Sequence, residues 1–141
     1  MPLACKWAAE QEQNICRSGL ALTSELFVVA KKVGVQVPDK IRIAVINAVP
    51  VPSHPLLQSA CTATGLITPD TIGLTLRYGI FIRQDESRNT KLFAHEFAHV
   101  AQYERRGGIE QFLKQYLAEV LNYGYPQAPM EQEAKRAEMF V

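Results

Sequence analysis

The chain has 141 residues, with 15 Lys and Arg against 14 Asp and Glu, and 48% of its residues are hydrophobic. This composition is typical of one ordinary folded domain and excludes a disordered, collagen-like or coiled-coil chain, so residues 1–141 are predicted to form a single domain. The formal net charge of +1 comes without any Lys/Arg run longer than two residues. Nucleic acid and anionic membranes are therefore not expected as partners, because both require clustered positive charge.

Neither a membrane span nor a disulfide framework is predicted. The longest strictly apolar runs are far shorter than the roughly 20 residues that cross a bilayer. Leu-Ala-Cys5 resembles a lipoprotein cleavage site, but no basic or hydrophobic stretch precedes it. The chain has three cysteines, Cys5, Cys16 and Cys61. Their odd number and wide spacing fit neither a disulfide framework nor a cysteine-based zinc site. Reduced thiols and a cytoplasmic location are predicted.

The first half of the chain reads as two helices, a strand and a short helix. Residues 4–32 contain no proline and carry apolar residues at helical spacing, and Gly19 is a candidate break within them. Gly34 ends this region. Residues 40–47 are rich in β-branched side chains, which favours a strand, and residues 56–64 are predicted to form a short helix.

Strict alternation of apolar and other residues over 72–83 predicts a strand or a hairpin pair. Ile72, Leu74, Leu76, Tyr78, Ile80 and Ile82 would share one face. Gly79 is the expected bulge or bend.

Three helices are predicted in the last third of the chain. The first covers 91–106, with Asn89 or Thr90 as its N-cap and Gly107-Gly108 as its end. The second covers 109–122 and has one broad apolar face. The third begins near Pro129, which suits a first helical turn.

The sequence His95-Glu96-Phe97-Ala98-His99 is an H-E-x-x-H motif inside the helix predicted over 91–106. Residues four apart on a helix lie on one face, so both imidazoles can reach a single metal ion while Glu96 faces the ligand opposite them. Two blander interpretations are that the histidines are polar residues on a half-buried face, or that they hold a structural zinc. Structural zinc sites usually have four protein ligands, often Cys, and no cysteine here has suitable spacing.

A catalytic zinc site needs a third protein ligand from elsewhere in the chain. His54, in a proline-rich loop, is the only other histidine. Glu131 and Glu133 are favoured over it, because the glycine-containing turns after residues 106 and 123 could fold their helix back against the motif helix. The residues alone do not choose between the two glutamates.

The segment from His95 to Tyr103, followed by Tyr125-Pro126 and by residues 130–137, resembles the gluzincin clan of zinc metallopeptidases. It is similar to an uncharacterised bacterial zincin domain family with a His-Glu-Leu-x-His-Val-x-Gln core and a downstream Glu-x-x-Ala-Asp element. Membrane-bound CaaX-type proteases share that element, but this chain lacks their transmembrane helices. The resemblance covers about the last 70 residues.

The resemblance implies a small zincin-like α+β domain. This domain would have an N-terminal helical segment, a small mostly antiparallel sheet, the active-site helix and two C-terminal helices. It also implies a Zn²⁺ cofactor held by His95, His99 and Glu131, since Ala134 matches the alanine of the family element. Glu133 becomes the second choice. Lys135 stands where the family has an aspartate that accepts a hydrogen bond from a metal-bound histidine, and lysine cannot accept one. Either Glu133, Glu138 or a backbone carbonyl replaces it, or activity is reduced.

The implied activity is hydrolysis of a peptide or protein substrate, with Glu96 as the general base for a zinc-activated water. Tyr103, Tyr123 and Tyr125 are candidate donors to the oxyanion. The strand ending at Arg83 would be the edge strand that binds an extended peptide, although its residues could equally belong to the core.

Two alternatives to a peptidase stay open. A catalytically weak zinc-binding domain could recognise a peptide or protein partner, and a non-peptidic amide could be the substrate. The N-terminal third is read as scaffold, with an inhibitory segment or a dimer contact as further options, and Cys5 or Cys16 could be a zinc ligand of a latent form. The oligomeric state is left open.

Overall fold

Helices dominate residues 2–141, the part of the chain that this computed structural model describes. The described residues form six α-helices and one three-stranded sheet: α1 Pro2–Ser18, α2 Ser24–Val33, β1 Arg42–Ile46, α3 Pro55–Thr64, β2 Gly73–Leu76, β3 Gly79–Arg83, α4 Thr90–Arg106, α5 Ile109–Tyr123 and α6 Pro129–Ala137. Single turns of 3-10 helix cover Pro38–Lys40, Gln84–Glu86 and Glu138–Phe140. The predicted α+β class is confirmed, and every predicted helix is present.

The break predicted near Gly19 separates α1 from α2. Thr23 caps α2, because its hydroxyl accepts a hydrogen bond from the Leu26 amide at 3.2 Å. Gly34 ends the helix in the left-handed conformation with φ at +114°, where glycine is favoured.

The sheet is mixed, in the order β1-β3-β2. β2 and β3 form the antiparallel hairpin, whereas β1 pairs with β3 in parallel. The sequence predicted a mostly antiparallel sheet, but the long connection between β1 and β3, which contains α3, is enough for a parallel crossover. β3 therefore lies in the centre of the sheet. The prediction that the strand ending at Arg83 is the edge strand is wrong, since the edge beside α4 is β2.

The hairpin turn lies at Arg77 and Tyr78, not at Gly79. Arg77 adopts φ of +59°, and Leu76 pairs with Gly79 across the two-residue turn. A turn of two residues places an even-numbered residue opposite an odd-numbered one, so the face of the alternating pattern changes at the turn. The single apolar face predicted over 72–83 is consequently wrong: Ile80 and Ile82 share a face with Thr75, and Leu74 and Leu76 lie on the other.

Helix α4 packs its apolar residues between α2 and the sheet. Phe97, Val100, Ile80 and Ile82 are fully buried in the same core cluster. Each such side chain contributes roughly 1.5–3 kcal/mol to the free energy of unfolding. The Asn89 side chain accepts from the Leu92 amide at 3.2 Å and caps the helix as predicted. The helix that carries the motif is therefore packed against both α2 and the sheet.

Helix α5 returns the chain so that α6 packs against α4. Glu119 on α5 is buried, and its Oε1 accepts a hydrogen bond from the Met130 amide at 2.7 Å. This bond satisfies one of the amides that the start of a helix leaves without a partner. It also fixes the first turn of α6, which carries Glu131. Among residues 2–141, no helix combines the length and the apolar character needed to span a bilayer.

Candidate metal centre

His95, His99 and Glu131 converge at one point between α4 and α6. One ligand atom from each lies within 4.8 Å of the other two. The Nε2 atoms of His95 and His99 lie 3.1 and 3.0 Å from the two oxygens of the Glu131 carboxylate. Four tetrahedral zinc ligands at about 2.0–2.1 Å from the ion stand about 3.4 Å from one another. The group could therefore hold a metal ion after small side-chain rotations.

The other ring nitrogen of His95 has a carboxylate partner. Its Nδ1 donates to Oε2 of Glu138 at 2.9 Å, and Glu138 follows directly after the end of α6. Lys135 is exposed and makes none of these contacts. Of the three substitutes considered for the missing aspartate, the structure places Glu138 on His95.

His99 is oriented through Gln102, one turn further along α4. The Gln102 Nε2 donates to the Met130 carbonyl at 2.9 Å and to Glu133 Oε1 at 2.5 Å. Its Oε1 therefore faces His99 and accepts from the Nδ1 of that ring at 2.8 Å. A proton held on Nδ1 leaves the Nε2 lone pair directed at the cluster, which is the tautomer that binds a metal.

Glu131 is buried, and its carboxylate also accepts a hydrogen bond from the Tyr116 hydroxyl. Burial alone would raise the pKa of Glu131, but the hydrogen bonds from His95, His99 and Tyr116 hold it far below the ordinary value. The carboxylate is ionised throughout the physiological range. It is thus available as a charged ligand.

The contacts that lower the pKa of Glu131 raise the pKa values of the two histidines. Burial would lower the pKa of His95, but the hydrogen bond to Glu131 and the charges of Glu96 and Glu131 raise it to about 9. The pKa of His99 is also raised, by the same carboxylates acting against its burial. Without metal, the cluster is a buried ion-pair network that competes with metal for the imidazole nitrogens.

Glu96, the second residue of the motif, is buried, and one of its two carboxylate oxygens is held by a hydrogen bond. Its Oε1 accepts a hydrogen bond from the Thr75 hydroxyl at 2.8 Å. A Cβ on Gly73 would come within 3.0 Å of its Oε2. Gly73 therefore provides the space that the second carboxylate oxygen occupies.

The remaining ligand candidates lie outside the cluster. Glu133 binds Gln102 and Arg105, the latter at 2.7 Å. His54 caps α3, with its Nδ1 accepting from the Leu56 amide at 3.2 Å. Cys5 and Cys16 are free thiols elsewhere on α1. None of these four residues belongs to the His95-His99-Glu131 group within residues 2–141.

The three tyrosines proposed as oxyanion donors have different surroundings. Tyr103 is buried and donates to the Thr75 carbonyl at 3.2 Å, so its hydroxyl is already used. Tyr123 is exposed at the end of α5. Tyr125 lines the cavity at the cluster. Of the three, Tyr125 alone has a position from which it could donate.

The cluster lies at one end of a cavity of about 170 Å³. His95, His99, Glu96 and Glu131 all line it. The rest of the lining consists mainly of apolar side chains, many of them from α1, α3 and α5. A metal ion at the cluster would thus keep one side open to the cavity.

Sequence reasoning did not identify Thr75, Tyr116, Gly73 or the role of Gln102. Thr75 and Gly73 belong to an alternating strand pattern, and Tyr116 to an apolar helix face, where polar functions are not distinguished from core packing. Gln102 offered a signal, since it follows His99 by three residues and so lies near it on a helix.

Comparisons of the chain with known protein families, with curated proteins and with solved structures find no match.

Proposed function

We propose that this chain is a zinc-dependent hydrolase of gluzincin type that cleaves peptide bonds. The observation that carries the proposal is the convergence of His95, His99 and Glu131 within 4.8 Å at the end of a cavity that Glu96 also lines. Two imidazoles and one carboxylate with an open side are a donor set that catalytic zinc sites use. A structural zinc site would instead be closed by a fourth protein ligand.

Zn²⁺ fits the donors, and when bound it would lower the pKa of a coordinated water toward about 7 and polarise a substrate carbonyl. Glu138 and Gln102 accept from Nδ1 of His95 and His99, so each Nε2 would coordinate the ion once metal binding displaces its proton. Tyr116 fixes the Glu131 carboxylate. The supporting residues therefore orient all three ligands.

Glu96 is the proposed general base. Thr75 holds one of its oxygens by a hydrogen bond of 2.8 Å, which leaves the other oxygen to accept a proton from water at the cluster and pass it to the leaving amine. Tyr125, at the edge of the cavity, is the proposed donor to the oxyanion.

The outer edge of β2 is the proposed track for an extended substrate. In the described sheet β2 pairs with β3 alone, and Gly73, Leu74, Thr75 and Leu76 line the cavity beside Glu96. An extended peptide that pairs with this edge would pass the general base.

Elemental analysis of untagged protein tests the ligand set. We expect one equivalent of zinc in the wild type and in Glu133→Gln, and loss of zinc in His99→Ala and Glu131→Gln. Glu133→Gln is the matched control, because Glu133 is on the same helix but outside the cluster, and the side-chain oxygen of a glutamine there can still accept the hydrogen bond from Gln102. Folded protein that binds no added zinc would contradict the proposal.

Glu96→Gln then separates hydrolysis from binding. We expect it to keep zinc and lose at least about 100-fold in turnover of peptide substrates, since general-base catalysis is worth roughly 10²–10⁴-fold. Wild-type protein that holds zinc but cleaves nothing would favour the alternative, a zinc-binding domain that recognises a partner. Lys135 and the small size of the chain favour that alternative, whereas Glu138 supplies His95 with the carboxylate partner that Lys135 cannot provide. A cytoplasmic location stays a prediction.

A further inference from the structure

The lining of the cavity beside the cluster is of two chemical kinds. The polar part consists mainly of both histidines and the carboxylates of Glu96 and Glu131. The apolar wall includes Trp7 of α1, Leu57 and Cys61 of α3, Leu66, and Leu113 and Leu117 of α5. The first half of the chain, which supplies no member of the cluster, thus supplies much of this apolar wall.

The residues of the apolar wall are not fully buried in the core. Trp7, Leu57, Leu66, Leu113 and Leu117 each line the cavity, and each is only partly buried. Apolar surface in a concave site gains free energy when a ligand removes it from water, at roughly 25 cal/mol per Å². Nothing on this wall offers a charge to a charged ligand group.

The volume limits what can enter. An apolar cavity of about 150 Å³ holds a ligand the size of benzene, and this cavity measures about 170 Å³. A side chain of the size of Leu or Phe therefore fits. The cavity is also continuous with the cluster, so a side chain inside it belongs to a residue close to the reacting carbonyl.

We infer that the site takes peptides carrying a single bulky apolar residue next to the scissile bond, with that side chain held between α1, α3 and α5. The inference rests on the proposed function for its reaction but not for its binding. The apolar wall selects the side chain, while the carboxylates of Glu96 and Glu131 in the same cavity disfavour an acidic one. Helices α1 and α3 are thus specificity elements as well as scaffold.

Trp7 is the only tryptophan in the chain and lines the cavity, so its fluorescence reports occupancy without any turnover. The probes are N-acetylated glycine peptide amides with one Leu, Phe, Asp or Lys, titrated into zinc-loaded Glu96→Gln protein. We expect the Leu and Phe peptides to shift the emission and to bind about 10- to 100-fold more tightly than the others. Equal affinity for Leu and Asp peptides would overturn the inference.

Ala60 and Ala63 provide a matched pair on α3. Both are exposed alanines, but only Ala60 lines the cavity. We expect Ala60→Leu to weaken binding of the Phe peptide at least about tenfold by narrowing the cavity, and Ala63→Leu to leave it within about twofold. If both variants fold and bind alike, the side chain does not enter between α1 and α3.

Leu57 and Leu56 give a second pair that keeps the test decisive should Ala60→Leu fail to fold. Leu57 lines the cavity, whereas Leu56 is 68% exposed and does not. Leu57→Ala should shift the preference from Phe towards naphthylalanine, and Leu56→Ala should not. An unchanged preference in Leu57→Ala would contradict the inference.

The binding and hydrolysis results are separable. Tight binding of apolar peptides to Glu96→Gln, with no cleavage by zinc-loaded wild type, would refute the peptidase but leave the inference standing. Cleavage of peptides regardless of side chain would support the peptidase and refute the inference.

Discussion

At the scale of single residues, Glu138 is the partner of the ligand His95. It lies seven residues after Glu131, where the chain leaves α6, and it accepts from His95 at 2.9 Å. The motif spacing predicted that His95 and His99 lie together, the resemblance implied Glu131, and Glu138 was one of three candidate partners between which the sequence did not choose. The position of Glu138 depends on how α6 ends, which no local pattern in the sequence specifies.

We expect Glu138→Ala to weaken zinc affinity about 10- to 100-fold, the usual cost of losing a partner that orients a metal-bound histidine. A competition titration against a chelator measures it. Lys135→Ala, at an exposed position nearby, is the control and should leave the affinity unchanged. Equal affinities in the two variants would show that Glu138 does not orient His95.

The ion-pair network should make the metal-free protein most stable in mildly acidic solution. The folded pKa of His95, about 9, lies above its ordinary value of 6.5, so its stabilisation is complete below 6.5 and is lost as pH rises through 9. The pKa of Glu131 is lowered from 4.5, so its stabilisation is lost as pH falls below that value. Urea unfolding in excess chelator should therefore give the largest free energy of unfolding between about pH 4.5 and 6.5. In Glu131→Gln the decline from pH 6.5 to 9 should be much smaller, and a wild type without that decline would contradict the network.

At the scale of secondary-structure elements, helices were easier to predict than strand pairing. The ends of α2 and α4 follow from Thr23, Asn89, Gly34 and Gly107, since caps and left-handed glycines are local signals. The parallel pairing of β1 with β3 is a long-range property. The faces of β2 and β3 depend on a two-residue turn at Arg77, which the alternating pattern runs through without interruption.

The contact between β2 and α4 gives a prediction about Gly73. A Cβ there would lie 3.0 Å from Glu96 Oε2 and 3.2 Å from Leu92 Cδ1. The carboxylate can rotate away at little cost in stability, but it then leaves the position from which it faces the cluster. We expect Gly73→Ala to lower peptide turnover at least about tenfold while zinc content and the urea midpoint stay at wild-type values. Unchanged turnover would mean that Glu96 tolerates the displacement.

At the scale of the whole molecule, a buried carboxylate on α1 connects this helix to the turn between β2 and β3. Glu12 accepts from Arg77 Nε at 2.8 Å and from the Tyr78 amide at 3.0 Å. The Arg77 side chain is 47% exposed, so the ion pair itself adds little. Removal of Glu12 acts mainly through the Tyr78 amide, which would lose its hydrogen-bond acceptor.

We expect Glu12→Ala to lower the free energy of unfolding by about 1 kcal/mol, because a partly buried donor loses its acceptor. Chemical denaturation measures it, with Glu10→Ala, an exposed glutamate on the same helix, as a control that should change little. Since α1 also carries Trp7, fluorescence shows whether the cavity wall loosens in the same transition. An unaltered unfolding free energy would show that α1 is held by its apolar contacts alone.

The cavity draws the two kinds of its lining from distant parts of the chain, the ligands from residues 95–131 and much of the apolar wall from α1 and α3. Mutations that remodel Trp7 or Leu57 therefore leave the ligand-bearing helices untouched. A library that varies Trp7 and Leu57 alone should therefore alter which peptides bind while the zinc affinity stays at the wild-type value.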